Sequence, residues 1–299
     1  MNNNYKSGFV SVIGRPNVGK STLLNQILGQ KIVIATDKAQ TTRKRIKGIL
    51  TLEEGQIVFI DTPGIHKPLN KFGEFLLDEA KVSLPDADLI LFLVDCSEPA
   101  GKGDRWIADH LLKNAKSKII MVLNKTDKAN PEKIEENLKT YEEILSGAET
   151  ILISAKLGTN KDILIKKVLE NLPVGVPFYD DETVTEETVR DVVQEIVREK
   201  ILLNTKEEIP HCVAVLVQDY KEEENIDRIF ADIYCETKSQ KGILIGKGGN
   251  MLKKIGMESR AEIEKMVEKK VFLQLNVKVE KDWRKNNSVL KKFGYESTK

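Results

Sequence analysis

An apolar run from Phe9 to Ile13 stops at Gly14, and the next residues read GRPNVGKS before a helical stretch, Ser21 to Leu28, that Gly29 would end. This is GxxxxGK[ST] in the strand-then-helix setting the pattern needs, so the chain must fold with a strand, a tight loop and a helix N-terminus in direct succession. The chemistry is anion binding. Gly14 and Gly19 let backbone N–H groups of the loop that runs through Arg15, Pro16, Asn17 and Val18 (all but the proline carry one) face phosphate oxygens, Lys20 reaches the β and γ oxygens, and Ser21, followed by Thr22, offers a hydroxyl to Mg²⁺. The motif by itself calls for a nucleotide and leaves the base open.

Four more apolar runs end on a polar residue: Ile57 to Ile60 before Asp61, Leu89 to Val94 before Asp95, Ile119 to Leu123 before Asn124, and Ile151 to Ile153 before Ser154. With amphipathic stretches at Lys102 to Leu112 and Ile134 to Leu145, they predict an α/β unit whose open, mostly parallel sheet carries helices on both faces. Ligands of such sheets bind where the strands end, so these polar residues should gather at one site. Asp61, Thr62, Pro63 and Gly64 (DTPG) would put a carboxylate near the metal and a Gly64 N–H on the γ-phosphate; alone they would be a proline turn. Asn124, Lys125 and Asp127 (NKTD) choose the base. A carboxylate accepts both N1–H and N2–H of guanine, whereas adenine leaves it unpaired. Ser154, Ala155 and Lys156 would close over the base with a backbone N–H near guanine O6.

In this order, the motifs resemble the translation-factor-related GTPases with a phosphate-loop, Ras-like domain. The resemblance implies a switch threonine on Mg²⁺ in the segment Gln40-Thr41-Thr42-Arg43, with Thr42 first choice and Thr41 second. Catalysis would rest on Lys20, Thr42, Gly64 and Asn17, and the metal on Ser21, Thr42 and Asp61. Ras-like enzymes carry a glutamine after DxxG, but Ile65 stands here, so hydrolysis needs other help. Asn17 resembles the asparagine with which one GTPase subgroup holds K⁺ in place of an arginine finger. His66 reads as an exposed residue beside a switch rather than as a base, and Arg43, Lys44, Arg45 and Lys47 as a solvated switch loop rather than as a binding stripe.

Two prolines and a glycine at residues 172–177 interrupt the chain, which suggests a GTP-binding domain over 1–172, a linker over 173–182 and a second domain over 183–299. Charge changes sharply along this second part. Residues 176–237 carry 6 basic and 17 acidic side chains, net −11, whereas 238–299 carry 16 and 7, net +9. A basic end is a footprint for a polyanion, though a lysine-rich solvated helix has the same arithmetic. Apolar spacing predicts a helix over Val184 to Asn204, strands over Val213 to Gln218 and Ile226 to Tyr234, an acidic turn between them, a helix over Asn250 to Lys269 and a strand over Val271 to Val279. Read as helix, strand, strand, helix, helix, strand, this part carries IGKGG between its last two helices, just before Asn250. This order resembles an α+β KH-like domain of type II, whose GxxG loop, Gly246, Lys247, Gly248 and Gly249, would let single-stranded RNA approach, with Lys253 and Lys254 near its phosphates. Trp283 either stacks a base or packs beneath the sheet.

Taken together, the two parts resemble the Era family of bacterial GTPases. The resemblance implies hydrolysis of GTP to GDP and phosphate, coupled to binding of small-subunit ribosomal RNA near its 3′ end in 30S assembly, and a peripheral contact with the cytoplasmic membrane. Intrinsic turnover should be slow and should respond to RNA. A signalling GTPase whose second domain binds protein or membrane is the alternative. Three dispersed cysteines among 299 residues give neither a metal pair nor a disulfide framework, and no apolar stretch suits a leader or a membrane span, so a reducing, cytoplasmic setting is expected. The overall charge of +1 argues against a uniformly basic coat protein.

Overall fold

The computed structural model describes residues 4–36, 38, 41–64, 71–82 and 87–295, with backbone alone over 77–82. Gln40, Ile65 and His66 of the sequence reading lie outside these residues. Contacts divide the chain into two units: Met1–Ala35, Thr42–Lys67 and Leu76–Glu186 in the first, and Thr36–Thr41, Pro68–Phe75 and Glu187–Lys299 in the second.

In the first unit the elements are β1 (Lys6–Ile13), α1 (Lys20–Leu28), β2 (Ile46–Leu52), β3 (Gly55–Asp61), α2 (Lys71–Val82, its first residues grouping with the second unit), β4 (Leu89–Asp95), α3 (Lys102–Asn114), β5 (Lys118–Asn124), α4 (Pro131–Glu142), β6 (Glu149–Leu152) and α5 (Lys161–Asn171). The six strands run in the order β2-β3-β1-β4-β5-β6, all parallel except β2, which pairs antiparallel with β3. The alternation of the central strands decides the layering. Val10, Val12, Leu91 and Val122 enter one core with Leu24 of α1 and Leu164 of α5, whereas Ile90, Phe92 and Met121 enter a second core with Ile107 of α3 and Tyr141 of α4. Both faces are thus covered, which is why these strands read as unbroken apolar runs.

The segment expected as a linker is strapped to this unit. Ser7 donates to the Pro173 carbonyl at 3.1 Å, Gly175 to that of Tyr5 at 2.9 Å, and Ile49 to that of Val184 at 2.8 Å, so the strap passes from β1 to the outer side of β2. The Gln56 side chain holds it midway, its Oε1 accepting from Phe178 (2.7 Å) and Tyr179 (3.0 Å). The contact division accordingly falls after Glu186, beyond the proline-rich stretch that marks the boundary in the sequence.

The second unit contains α6 (Val189–Asn204), α7 (Ile209–Cys212), β7 (Ala214–Glu222), β8 (Ile226–Cys235), α8 (Lys238–Ile245), α9 (Asn250–Val267), β9 (Lys270–Val279) and α10 (Asn287–Lys292). α6 starts five residues later than its apolar spacing suggests, because Thr188 and Asp191 form a reciprocal cap that ends the chain's extended stretch. β7 is longer than expected and takes in Lys221 and Glu222 from the acidic turn. The sheet order is β7-β8-β9, with β8 antiparallel to β7 and parallel to β9, and one core unites its inner face with Val193, Ile196 and Val197 of α6, Leu244 of α8 and Ile255 and Ile263 of α9. Cys96, Cys212 and Cys235 are all buried and unpaired with one another. No helix among the described residues is long and apolar enough to cross a membrane.

Candidate functional site

The loop between β1 and α1 turns on two residues in the left-handed region, Asn17 (φ 65°) and Gly19 (φ 103°). Glycine is compulsory at two places: a Cβ on Gly14 would meet the Leu93 carbonyl oxygen at 2.3 Å, and one on Gly19 would meet Asn124 Nδ2 at 2.3 Å. That second contact identifies the keystone. Asn124 donates from Nδ2 to the Val18 carbonyl at 2.7 Å and accepts the Ala155 N–H on Oδ1 at 2.8 Å, so NKTD is tied both to the phosphate loop and to SAK. Asp127 lies at the exposed end of this cluster and accepts the Ser154 hydroxyl at 2.6 Å. Ala155 is buried, Lys156 exposed. The Ala155 N–H is engaged by Asn124, a use that the tripeptide alone did not disclose.

Lys20 is buried, and its ammonium donates to the carbonyls of Gly14 (3.2 Å) and Arg15 (3.0 Å). Burial lowers its pKa to about 8, against the opposing pull of Asp61. Asp61 is fully buried at the end of β3; burial raises its carboxyl above the ordinary value, and Lys20, Ser21 and Thr42 counter part of that. Its Oδ2 accepts from Ser21 Oγ at 2.9 Å and from Thr42 Oγ1 at 3.0 Å, and the two hydroxyls are 2.9 Å apart. Oδ1 of Asp61 is buried without a hydrogen-bond partner among the described residues. Two hydroxyls, a carboxylate and one unsatisfied anionic oxygen suit a hard divalent cation such as Mg²⁺. Thr41 faces elsewhere: its hydroxyl donates to the Lys38 carbonyl at 2.6 Å and lies 2.8 Å from that of Thr36.

Thr62 fixes the next turn by donating to the Val12 carbonyl at 2.8 Å, and Gly64 sits so close to the phosphate loop that a Cβ would be 2.7 Å from Pro16 Cα. Asn17 is exposed at the loop's apex. The arginine of the loop behaves differently from its neighbours. Arg15 turns its side chain onto Asp104 and Glu98 at 2.7 Å each. Arg43, expected in a solvated loop, is buried; Lys47 is bonded to Glu186 at 3.0 Å and Tyr179 at 3.2 Å, because the strap covers this side of β2. Asp95, which the sequence places at a strand end without a role, holds the base-reading loop. Its carboxylate takes the Lys125 ammonium at 2.6 Å and Ser97 at 2.6 Å; burial pushes its pKa up, but these bonds outweigh burial and leave it below the ordinary value.

In the second unit the loop between α8 and α9 divides the work of its glycines. A Cβ on Gly246 (φ 74°) would strike Met251 Cβ at 2.7 Å, whereas Gly248 (φ 60°) and Gly249 (φ 81°) face open space. Lys247, Lys253 and Lys254 are exposed, Lys254 with Glu258 3.8 Å away. Beside the loop an open groove of about 430 Å³ runs between α9 and β9, with Leu252, Arg260, Phe272 and Gln274 among its walls. The groove was not legible as such, since its two walls are some twenty residues apart in sequence. Trp283 takes the packing role: it is fully buried, and its indole N–H donates to the Cys212 carbonyl at 2.9 Å.

Comparison with known proteins covers both units. Residues 9–125 match the family described as 50S ribosome-binding GTPase, and residues 208–284 match the KH domain. GTPase Era of Halothermothrix orenii is 49% identical over 292 residues, which is 97% of this chain and 99% of that protein. A crystal structure of Era in complex with MgGDPNP and nucleotides 1506–1542 of 16S ribosomal RNA superposes with a TM-score of 0.93 at 38% identity, covering 97% of this chain and 99% of the other. The same TM-score, identity and coverages hold for a variant of Aquifex aeolicus Era bound to GDP·AlF₄⁻.

Proposed function

Because the chain belongs to the Era family of GTPases, we propose that it couples its hydrolysis of GTP to binding the 3′ end of small-subunit ribosomal RNA during assembly of that subunit. The observation that carries the nucleotide half is Asn124, whose two bonds hold the base-reading and phosphate-binding loops in one site. GTP would lie across that site with guanine N1–H and N2–H on Asp127, its phosphates on the backbone between Gly14 and Ser21, and Lys20 on the β and γ oxygens. Ser21, Thr42 and Asp61 would hold Mg²⁺, which when bound neutralises charge on those oxygens. Thr42 suits this role better than Thr41, whose hydroxyl is committed to Lys38. Gly64 presents its N–H to the γ-phosphate, and water attacks in line; loss of that phosphate frees Thr42 and Gly64 together.

Asn17 at the loop apex would assist by holding K⁺ near the β–γ bridge, offsetting the missing glutamine. Phosphate release should then be faster in KCl than in NaCl, and equal rates would remove this part. The RNA would lie on Gly248 and Gly249, with Lys247, Lys253 and Lys254 toward its phosphates and bases in the groove between α9 and β9. A contact with the cytoplasmic membrane, also implied by the family, would be peripheral for a cytoplasmic protein of this kind.

The test is binding of a single-stranded oligonucleotide with the 3′-terminal sequence. Affinity should fall steeply with salt, and Gly248→Asp should reduce it at least ~10-fold while GTP affinity holds, since a carboxylate there repels phosphate. Binding that ignores both salt and Gly248→Asp would instead favour a protein partner for the second unit. GTP hydrolysis should likewise resist competition by ATP, which cannot satisfy Asp127.

A further inference from the structure

The arginine of the phosphate loop turns away from the site, and its partner is a fully buried carboxylate. Asp104, in the first turn of α3, is fully buried; its Oδ1 accepts Arg15 Nε at 2.7 Å while its Oδ2 caps the helix by accepting the Gly101 N–H at 3.0 Å. The arginine stem lies flat on that turn, where a Cβ on Gly103 would come within 2.6 Å of Arg15 Cδ. The approach to α3 is fixed in turn from α4, whose Tyr141 hydroxyl bonds to the carbonyls of Asp95 (2.9 Å) and Glu98 (3.3 Å). Residue 15 is therefore clamped to a helix end that cannot shift independently. A buried carboxylate is tolerated only when paired, so the clamp is strong as well as specific.

What the clamp holds is the peptide at Arg15 and Pro16. The Arg15 carbonyl orients the Lys20 ammonium at 3.0 Å, and Pro16 is the surface against which Gly64 packs. Gly64 acts on the γ-phosphate alone and Lys20 on both the β and γ oxygens, whereas the β-phosphate of GDP is also held by backbone farther along the loop, so hydrolysis depends on the clamp more than GDP binding does. We infer that Asp104, acting through Arg15, is a positioning residue for hydrolysis that sets Lys20 and Gly64 without itself touching nucleotide. The inference rests on the assignment of GTP hydrolysis to this site.

The experiment uses the full chain with Asp104→Asn, Arg15→Met and the double substitution, measuring thermal midpoint, GDP affinity and single-turnover phosphate release. Arg15→Met leaves the buried Asp104 carboxylate without its cation, whereas Asp104→Asn leaves Arg15 on Glu98, so the double variant, which removes both charges of the pair, is the decisive one. Its expected behaviour is a midpoint and GDP affinity close to those of the unaltered chain with phosphate release slowed about tenfold, as misplacement without lost binding requires. A folded double variant that hydrolyses at the unaltered rate, or one whose GDP affinity falls in step with its rate, would overturn the inference. Failure of the unaltered chain to release phosphate would overturn the hydrolysis assignment beneath it, a separate result.

Discussion

Asp95 illustrates how single side chains in this protein serve by holding other side chains. Its carboxylate anchors Lys125, which stands in the left-handed region at φ 69° immediately after Asn124. The folded value lies below the ordinary 3.8, so the contribution to stability is complete above that value and disappears as pH falls through the folded value. Asp95→Asn should therefore lower the unfolding free energy by about 2 kcal/mol near neutrality, as expected for a hydrogen bond to a charged group, and by progressively less as pH falls below the ordinary carboxylate value. Urea melts across that range measure it; a deficit independent of pH would contradict the ionic origin. Lys20, Ser21, Asp61 and Asn124 were legible as site residues because each sits at a fixed offset in a motif. Asp95 was legible only as a strand end and Asp104 not at all, because their roles depend on neighbours 30 and 89 positions away, brought close only by strand order and helix packing.

At the level of elements, the glycine loop between α8 and α9 makes a sharp contrast. Gly246→Ala drives a Cβ against Met251 from a backbone that only glycine adopts with ease, and should cost about 3 kcal/mol. Gly249→Ala meets no neighbour and should cost about 1 kcal/mol, the penalty for a left-handed alanine, while crowding the RNA path. Guanidinium denaturation alongside oligonucleotide titration separates the two; equal losses of stability would refute the division. The parallel strands and the α6–β7–β8–α8–α9–β9 order were readable from apolar runs and their punctuation. β2 escaped notice because Ile46–Leu52 carries Lys47 and Gly48 amid its apolar residues and is half covered by the strap, so neither a continuous nor an alternating pattern emerges. The strap escaped for a related reason: proline and glycine mark where regular structure ends, and bonds such as those from Gln56 decide whether the chain then leaves the surface.

For the molecule as a whole, the near-zero net charge conceals the segregation that the function uses, with acid over 176–237 and base over 238–299. If RNA is held by the basic end as proposed, a titration of its affinity against salt should follow that charge rather than the near-zero total. The cysteines supply a further tool. One sits in the first unit and two in the second, all sealed from solvent, and burial raises the Cys96 thiol to about 11. An alkylating reagent should thus stay idle on the native protein and add mass only when a thiol is uncovered. Intact-mass spectra taken during mild denaturation would show a single adduct if the nucleotide half loosens first, a pair if the RNA half does, and three at once if both melt in concert. The chain carries its own barcode for the sequence of its undoing.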